Sequence, residues 1–157
     1  MSRLKNKGII FSINISKNKG ELKNPVEVAE LVAGMGIKGD GHFGFKPRQV
    51  SLLMLEAIEQ AKKELKKISP QKAELISPGS FAENITTKGI DLLNLKPGDL
   101  LVINKNIRLK VSQIGKEDHA DSIVNRTFGI SLLPKIGIFC EVLNSGTIKV
   151  GDEIEKS

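Results

Sequence analysis

Four stretches hold the side chains able to do chemistry. The first is GIKGDGHFG at 36–44, with Arg48 and Gln49 following. A loop this rich in glycine lets backbone N–H groups approach an anion, and Lys38, Lys46 and Arg48 add positive charge. Asp40 and His42 are metal-capable types at a spacing of two, but no third ligand is in view. No Gly-Lys-Ser/Thr opens a helix, and the spacing is not that of a dinucleotide fingerprint. The alternative is a structural loop whose glycines serve turns. The second stretch is PGSFAEN at 78–84. There Glu83 is placed to act as a base or to orient a ligand, with Asn84 beside it. Otherwise Glu83 pairs with a nearby arginine and Asn84 satisfies backbone groups at a strand start.

The third stretch is GKEDHADS at 115–122, directly after an apolar-patterned strand. Lys116 and His119 suit an anion, and Asp118 with His119 suits acid–base or metal chemistry. A solvated charged loop is the plainer reading. The fourth is Cys140, the single cysteine. On a strand it shares a face with Ile138 and Val142, which makes it a buried, inert thiol rather than a nucleophile.

The elements that must position these groups are mostly strands. GIIFSINIS at 8–16 places Ile9, Phe11, Ile13 and Ile15 at a period of two. Short strands are expected within 25–32 and 48–53, a hairpin over 100–114 turning at 104–106, and strands at 137–143 and 147–155. The glycine-rich 34–47 stretch cannot hold a helix and offers few core residues. One clear helix is expected over about 54–68, with Met54, Ile58, Ala61, Leu65 and Ile68 on one face and Ser69-Pro70 stopping it. Gly98-Asp99 and Gly151-Asp152 each precede a strand, a repeated turn device. The expectation is one domain over 1–157, mainly β and barrel-like, with a few helices.

The 157 residues suffice to bury a core without disulfide or metal staples. One cysteine excludes an internal disulfide, and two histidines exclude a three-histidine metal site. No apolar run reaches the ~18 residues of a membrane helix, and MSRLKNKGIIFSINIS lacks a small-residue cleavage site, so a cytoplasmic protein is expected. Without a secretory signal, the sequons at Asn14, Asn84 and Asn125 are discounted. The net charge of +6 points to an anionic partner, with plain solubility the blander account. Six phenylalanines and no tryptophan or tyrosine give poor stacking platforms, so nucleic acid is disfavoured. Much of the excess charge sits in Arg3, Lys5, Lys7, Lys17, Lys19 and Lys23.

Taken in order, GIKGDGHFGFKPRQVSLL at 36–53, PGSFAENITTKGIDLLNLKPGD at 78–99, IGKEDH at 114–119 and GIFCEVLNSGTIKVGDEI at 137–154 resemble one family. It is the MOSC domain, named for the C-terminal domain of molybdenum cofactor sulfurases, in its small stand-alone bacterial form. The resemblance implies a β-barrel, and a role in molybdenum cofactor chemistry. That role is either binding of the phosphate-bearing pterin, molybdopterin, or transfer of sulfur to its metal. It implies a site lined by Lys38, His42, Arg48 and Gln49, by Glu83 and Asn84, and by Lys116 and His119. Asp118 and His119 are the candidate catalytic pair from the residues themselves. The implied partners are an anionic pterin-type molecule and molybdoenzymes or cofactor-biosynthesis proteins. Pyridoxal phosphate belongs to a separate domain of larger sulfurases, which this chain is too short to contain.

The departures matter as well. Stand-alone members commonly read Gly-Lys-Glu-Cys-His, with a second cysteine soon after and a third before the Gly-Ile-Phe strand. Here those places hold Asp118, Ser122 and Ser131, and Glu141 replaces an often basic residue. The implied function is therefore cofactor binding without persulfide transfer. The alternatives are an enzyme using Cys140 or Asp118 and His119, metal-dependent in the latter case, and a basic barrel for nucleic acid.

Overall fold

A computed structural model describes residues 4–157. Arg3 of the basic N-terminal arm lies outside the described residues. The strands are β1 (Lys7–Ile15), β2 (Asn24–Val26), β3 (Val28–Val32), β4 (Gly36–Ile37), β5 (Val50–Met54), β6 (Ile85–Lys88), β7 (Leu100–Ile103), β8 (Ile107–Ile114), β9 (Ile138–Val142), β10 (Gly146–Lys149) and β11 (Glu153–Lys156). The helices are α1 (Leu55–Lys66), α2 (Pro70–Glu74), α3 (Ile123–Phe128) and α4 (Leu133–Ile136).

Seven strands close a barrel in the order β11-β7-β8-β9-β5-β6-β1, and β1 pairs back onto β11 through Gly8 and Ile154. Closure leaves those strands without a free edge. β2 extends from the far end of β1, and β10, β3 and β4 form a separate small sheet. Among the described strands, only β5 and β6 pair in parallel. A parallel pair needs a crossover, and α1 and α2 supply it. The barrel interior is aliphatic, with Ile13, Leu52, Ile85, Leu101, Leu109 and Ile154 all fully buried. A second core lies between the helices and the outer face of β5 and β9, built on Leu53, Ile58, Leu65, Phe81, Phe128 and Phe139. β5 is therefore buried on both faces.

Two sequence expectations are corrected in detail. In β1, Ile9 and Phe11 are 41% and 39% exposed, while Ile10 is 0%. A bulge between Ile10 and Ser12, opposite Thr87 and Thr86, inserts one residue and flips the faces, so simple alternation fails there. The helix begins at Leu55 and ends at Lys66. Met54 pairs with Thr87 as the last residue of β5, and Ile68 lies past the helix end, 83% exposed. The glycine-rich stretch gives the barrel core one residue, Ile37 in β4, in keeping with its few apolar side chains.

The turns behave as their residues dictate. Asn104 and Lys105, at φ 52° and 59°, make the 100–114 hairpin turn. Asp99 and Asp152 each accept a bond from the backbone N–H three residues earlier, at 2.8 and 2.7 Å. The echoed Gly-Asp phrase is thus one turn used twice, with Gly98 and Gly151 both at positive φ.

The barrel core and the far end of the expected helix can be separated by experiment. Leu52→Ala, in the barrel, should cost about 2–5 kcal/mol in urea denaturation. Ile68→Ala should change stability by less than about 0.5 kcal/mol, since its side chain lies off the core.

Candidate functional site

Two adjoining cavities of about 140 and 70 Å³ open on the outside of the barrel. They share His42, Ala82, Lys116 and Leu133 and form one cleft. The larger is walled by Ser16, Lys23, Phe81, Asp118, His119, Ser122 and Ser131, among others. The smaller is walled by Arg48, Ser51, Asn84 and Phe139. The three separated motifs at 36–49, 78–84 and 115–122 therefore meet.

The first wall is set by Asp40, whose side chain is fully buried. One carboxylate oxygen accepts from Lys23 Nζ at 2.8 Å and the Ser16 N–H at 3.1 Å. The other accepts the His42 N–H at 3.1 Å and lies 3.7 Å from His42 Nδ1. Burial works against the charge, yet the bonds from His42 and Lys23 outweigh it and hold this carboxyl well below the usual carboxylate range. Asp40 is thus committed to structure, and no group of three metal-capable side chains gathers among the described residues. Arg48 lies over the Phe45 ring at 5.1 Å.

The second wall is a polar seam between β1, β5 and β6. Asn84 Oδ1 accepts from the Ser51 N–H at 3.0 Å, and its Nδ2 donates to the Asn14 carbonyl at 3.1 Å. Glu83 lies behind this wall, fully buried, and does not face the cleft. One of its oxygens accepts from the Gly79 N–H at 2.8 Å and from Thr86 Oγ1 at 2.5 Å, and the other has no partner. No arginine pairs with it among the described residues. Burial raises its pKa above the ordinary 4.5, against the pull of Thr86 and Gly79.

The third wall is the loop after β8. Gly115 has φ 70°, and a Cβ there would collide with the Pro134 carbonyl oxygen, so only glycine turns the chain here. The Lys116 N–H then bonds to that carbonyl at 3.0 Å. Asn125 fixes the rest: its Nδ2 donates to Asp118 Oδ1 and to the His119 carbonyl, both at 2.8 Å. Asp118 and His119 face the larger cavity but remain exposed, with His119 Nε2 3.6 Å from Glu117. Lys116 is half-buried and makes no salt bridge among the described residues, nor does Arg48. Burial lowers the Lys116 pKa, and the charges of Arg48 and Lys23 add to this against Asp118.

Of the residues expected at the site, His42, Arg48, Asn84, Lys116, Asp118 and His119 line the cleft. Lys38 does not: it is exposed in the β3–β4 region, 3.7 Å from Glu30. Gln49 is fully buried, because its amide joins the Gly34 carbonyl to the Val142 N–H, at 3.0 Å each. Cys140 points into the barrel core at 0% exposure, where burial pushes its thiol pKa up. Sequence reasoning missed the wall-building roles of Lys23, Ser51 and Asn125. Lys23 stands in a polar run with no cue that it is buried. The Ser122-to-Asn125 spacing, a helix cap with the Asn125 N–H on Ser122 Oγ, was a usable cue for the last.

A closed seven-stranded barrel with a polar cleft built on its connecting loops defines a small β-barrel binding or catalytic domain. The sequence profile of the MOSC domain matches residues 38–155, and the chain belongs to that family. Among solved structures, YuaD from Bacillus subtilis superposes with a TM-score of 0.73 at 21% identity, covering 96% of this chain and 95% of that one. YiiM from Geobacillus stearothermophilus gives 0.68 at 19% identity, over 95% and 74% of the two chains. YiiM from Escherichia coli gives 0.64 at 21%, over 99% and 70%. At these identities the likeness is one of fold. No curated protein matches the sequence significantly. No helix among the described residues is long and apolar enough to cross a membrane.

The buried Glu83 generates a pH test. Its raised folded pKa means that its stabilising share is complete below 4.5 and is lost as pH rises through the folded value. Glu83→Gln should therefore lose less stability than the parent chain between about pH 5 and pH 8, read by urea denaturation. Parallel pH profiles for the two would contradict the burial of an uncompensated carboxyl.

Proposed function

We propose that the cleft binds a compact oxyanion, and that its natural ligand is the phosphate end of a molybdopterin-type pterin. The carrying observation is the composition of the smaller cavity. Arg48 and Lys116 share it with His42, Ser51 and Asn84, and no carboxylate lines it. Two cations sharing a cavity that no carboxylate lines raise each other's energy, and a bound anion relieves that repulsion. Neutral Ser51 and Asn84 add polarity without cancelling charge.

Size supports a head group rather than a whole pterin inside. Pockets that enclose drug-sized ligands run to roughly 300–1,000 Å³. The cavities here measure about 140 and 70 Å³, so the rest of a larger ligand extends to solvent. For molybdopterin, Arg48, Lys116 and His42 would hold the phosphate. The bound cofactor would supply dithiolene-metal redox chemistry.

Sulfur transfer finds no matching groups. Asp118, Ser122 and Ser131, which stand where the resemblance to stand-alone members places cysteines, all line the larger cavity. A carboxylate and two hydroxyls cannot carry a persulfide. Cys140 is on the far side of the barrel wall, in the core. The reading is thus cofactor binding or delivery, with molybdoenzymes or cofactor-biosynthesis proteins as the proposed partners.

Calorimetry with inorganic phosphate and with molybdopterin tests this. Loss of one charged hydrogen bond is worth roughly 1.5–3 kcal/mol, so Arg48→Gln and Lys116→Gln should each weaken phosphate binding about tenfold or more. Cys140→Ala should leave affinity unchanged. Absence of any phosphate-dependent heat with either ligand overturns the proposal.

A further inference from the structure

We propose that Lys116 is a nucleophilic amine that condenses with small carbonyl compounds bearing an oxyanion, such as 2-oxo acids or phosphorylated aldehydes. The inference goes beyond anion binding but shares its Arg48 subsite. Lys116 is the cation common to both cavities, half-buried, with no carboxylate within salt-bridge distance among the described residues. Its backbone is pinned by the Pro134 carbonyl and by the glycine turn before it. The amine is therefore held at the cleft rather than swept through solvent on a free loop.

Its surroundings favour the neutral form that attack requires. Burial removes solvation from the ammonium, and Arg48 and Lys23 repel it, while Asp118 alone opposes them. A lysine desolvated beside another cation is the usual setting for Schiff-base chemistry. An anionic carbonyl compound would rest its oxyanion on Arg48 and present its carbonyl carbon to Nζ. The amine nitrogen then bonds to that carbon. The carbonyl oxygen leaves as water, taking both amine protons, and an imine remains. No oxidant or reductant is consumed. Inorganic phosphate in the same place stabilises the ammonium instead and should block the reaction.

Glyoxylate with cyanoborohydride, followed by peptide mass mapping of the intact folded chain, tests the idea. Lys116 should be labelled several-fold faster than the exposed Lys38 and Lys67. Propionaldehyde, which has no anionic group, should show little preference for it. Phosphate should slow Lys116 labelling selectively, and Arg48→Gln should abolish the preference for glyoxylate. Lys116 labelling no faster than that of Lys38 overturns the proposal, even where calorimetry shows phosphate bound. Fast labelling that neither phosphate nor Arg48→Gln alters overturns the shared oxyanion subsite, and with it the proposed substrate class.

Discussion

A carboxylate taken out of water organises the cleft. Asp40 is held by Lys23, by two backbone N–H groups and by the facing His42 ring. The Lys23 and Asp40 side chains are 1% and 0% exposed, so neither can leave without stranding the other. Removing one partner of such a pair costs about 3–5 kcal/mol, although the intact pair adds little net stability over apolar packing. Its contribution is position. It staples the loop after β1 to the glycine-rich stretch, and both are walls of the same cleft.

The barrel supplies what that staple needs. Its seven strands close on themselves, so the loops rise from a frame with no free edge in the ring. The parallel pairing of β5 with β6 sets Ser51 beside Asn84, and their mutual bonds consume the polar groups of that wall. Asn125 does the same for the loop bearing Asp118 and His119. With these groups satisfied internally, Arg48 and Lys116 are left as cations of the smaller cavity that make no ion pair among the described residues. The preference for an anion thus comes from which groups lack partners, more than from the overall excess of lysine.

Much of the site was legible because residue type and motif order were enough to nominate it. His42, Arg48, Asn84, Lys116, Asp118 and His119 were named from the sequence and line one cleft. Lys38 sits two residues from Asp40 yet faces elsewhere, because the chain turns between them at Gly39, φ 89°. Gln49 and Glu83 carry suitable chemistry but spend it on backbone groups and on Thr86. Lys23 looked like one more solvated lysine. Its burial depends on Asp40, 17 residues away.

The local elements were written in neighbouring residues. Apolar alternation marks β8, the Asn104-Lys105 turn closes its hairpin, and a 3.6-residue period marks α1. These signals are local because backbone conformation and side-chain direction follow from a few adjacent dihedrals. The bulge that turned Phe11 outward, the closure of β1 on β11 and the emptying of one cavity of carboxylates were decided by tertiary structure alone. Each depends on which distant segment arrives opposite, and a residue's charge, exposure and partner are properties of that meeting.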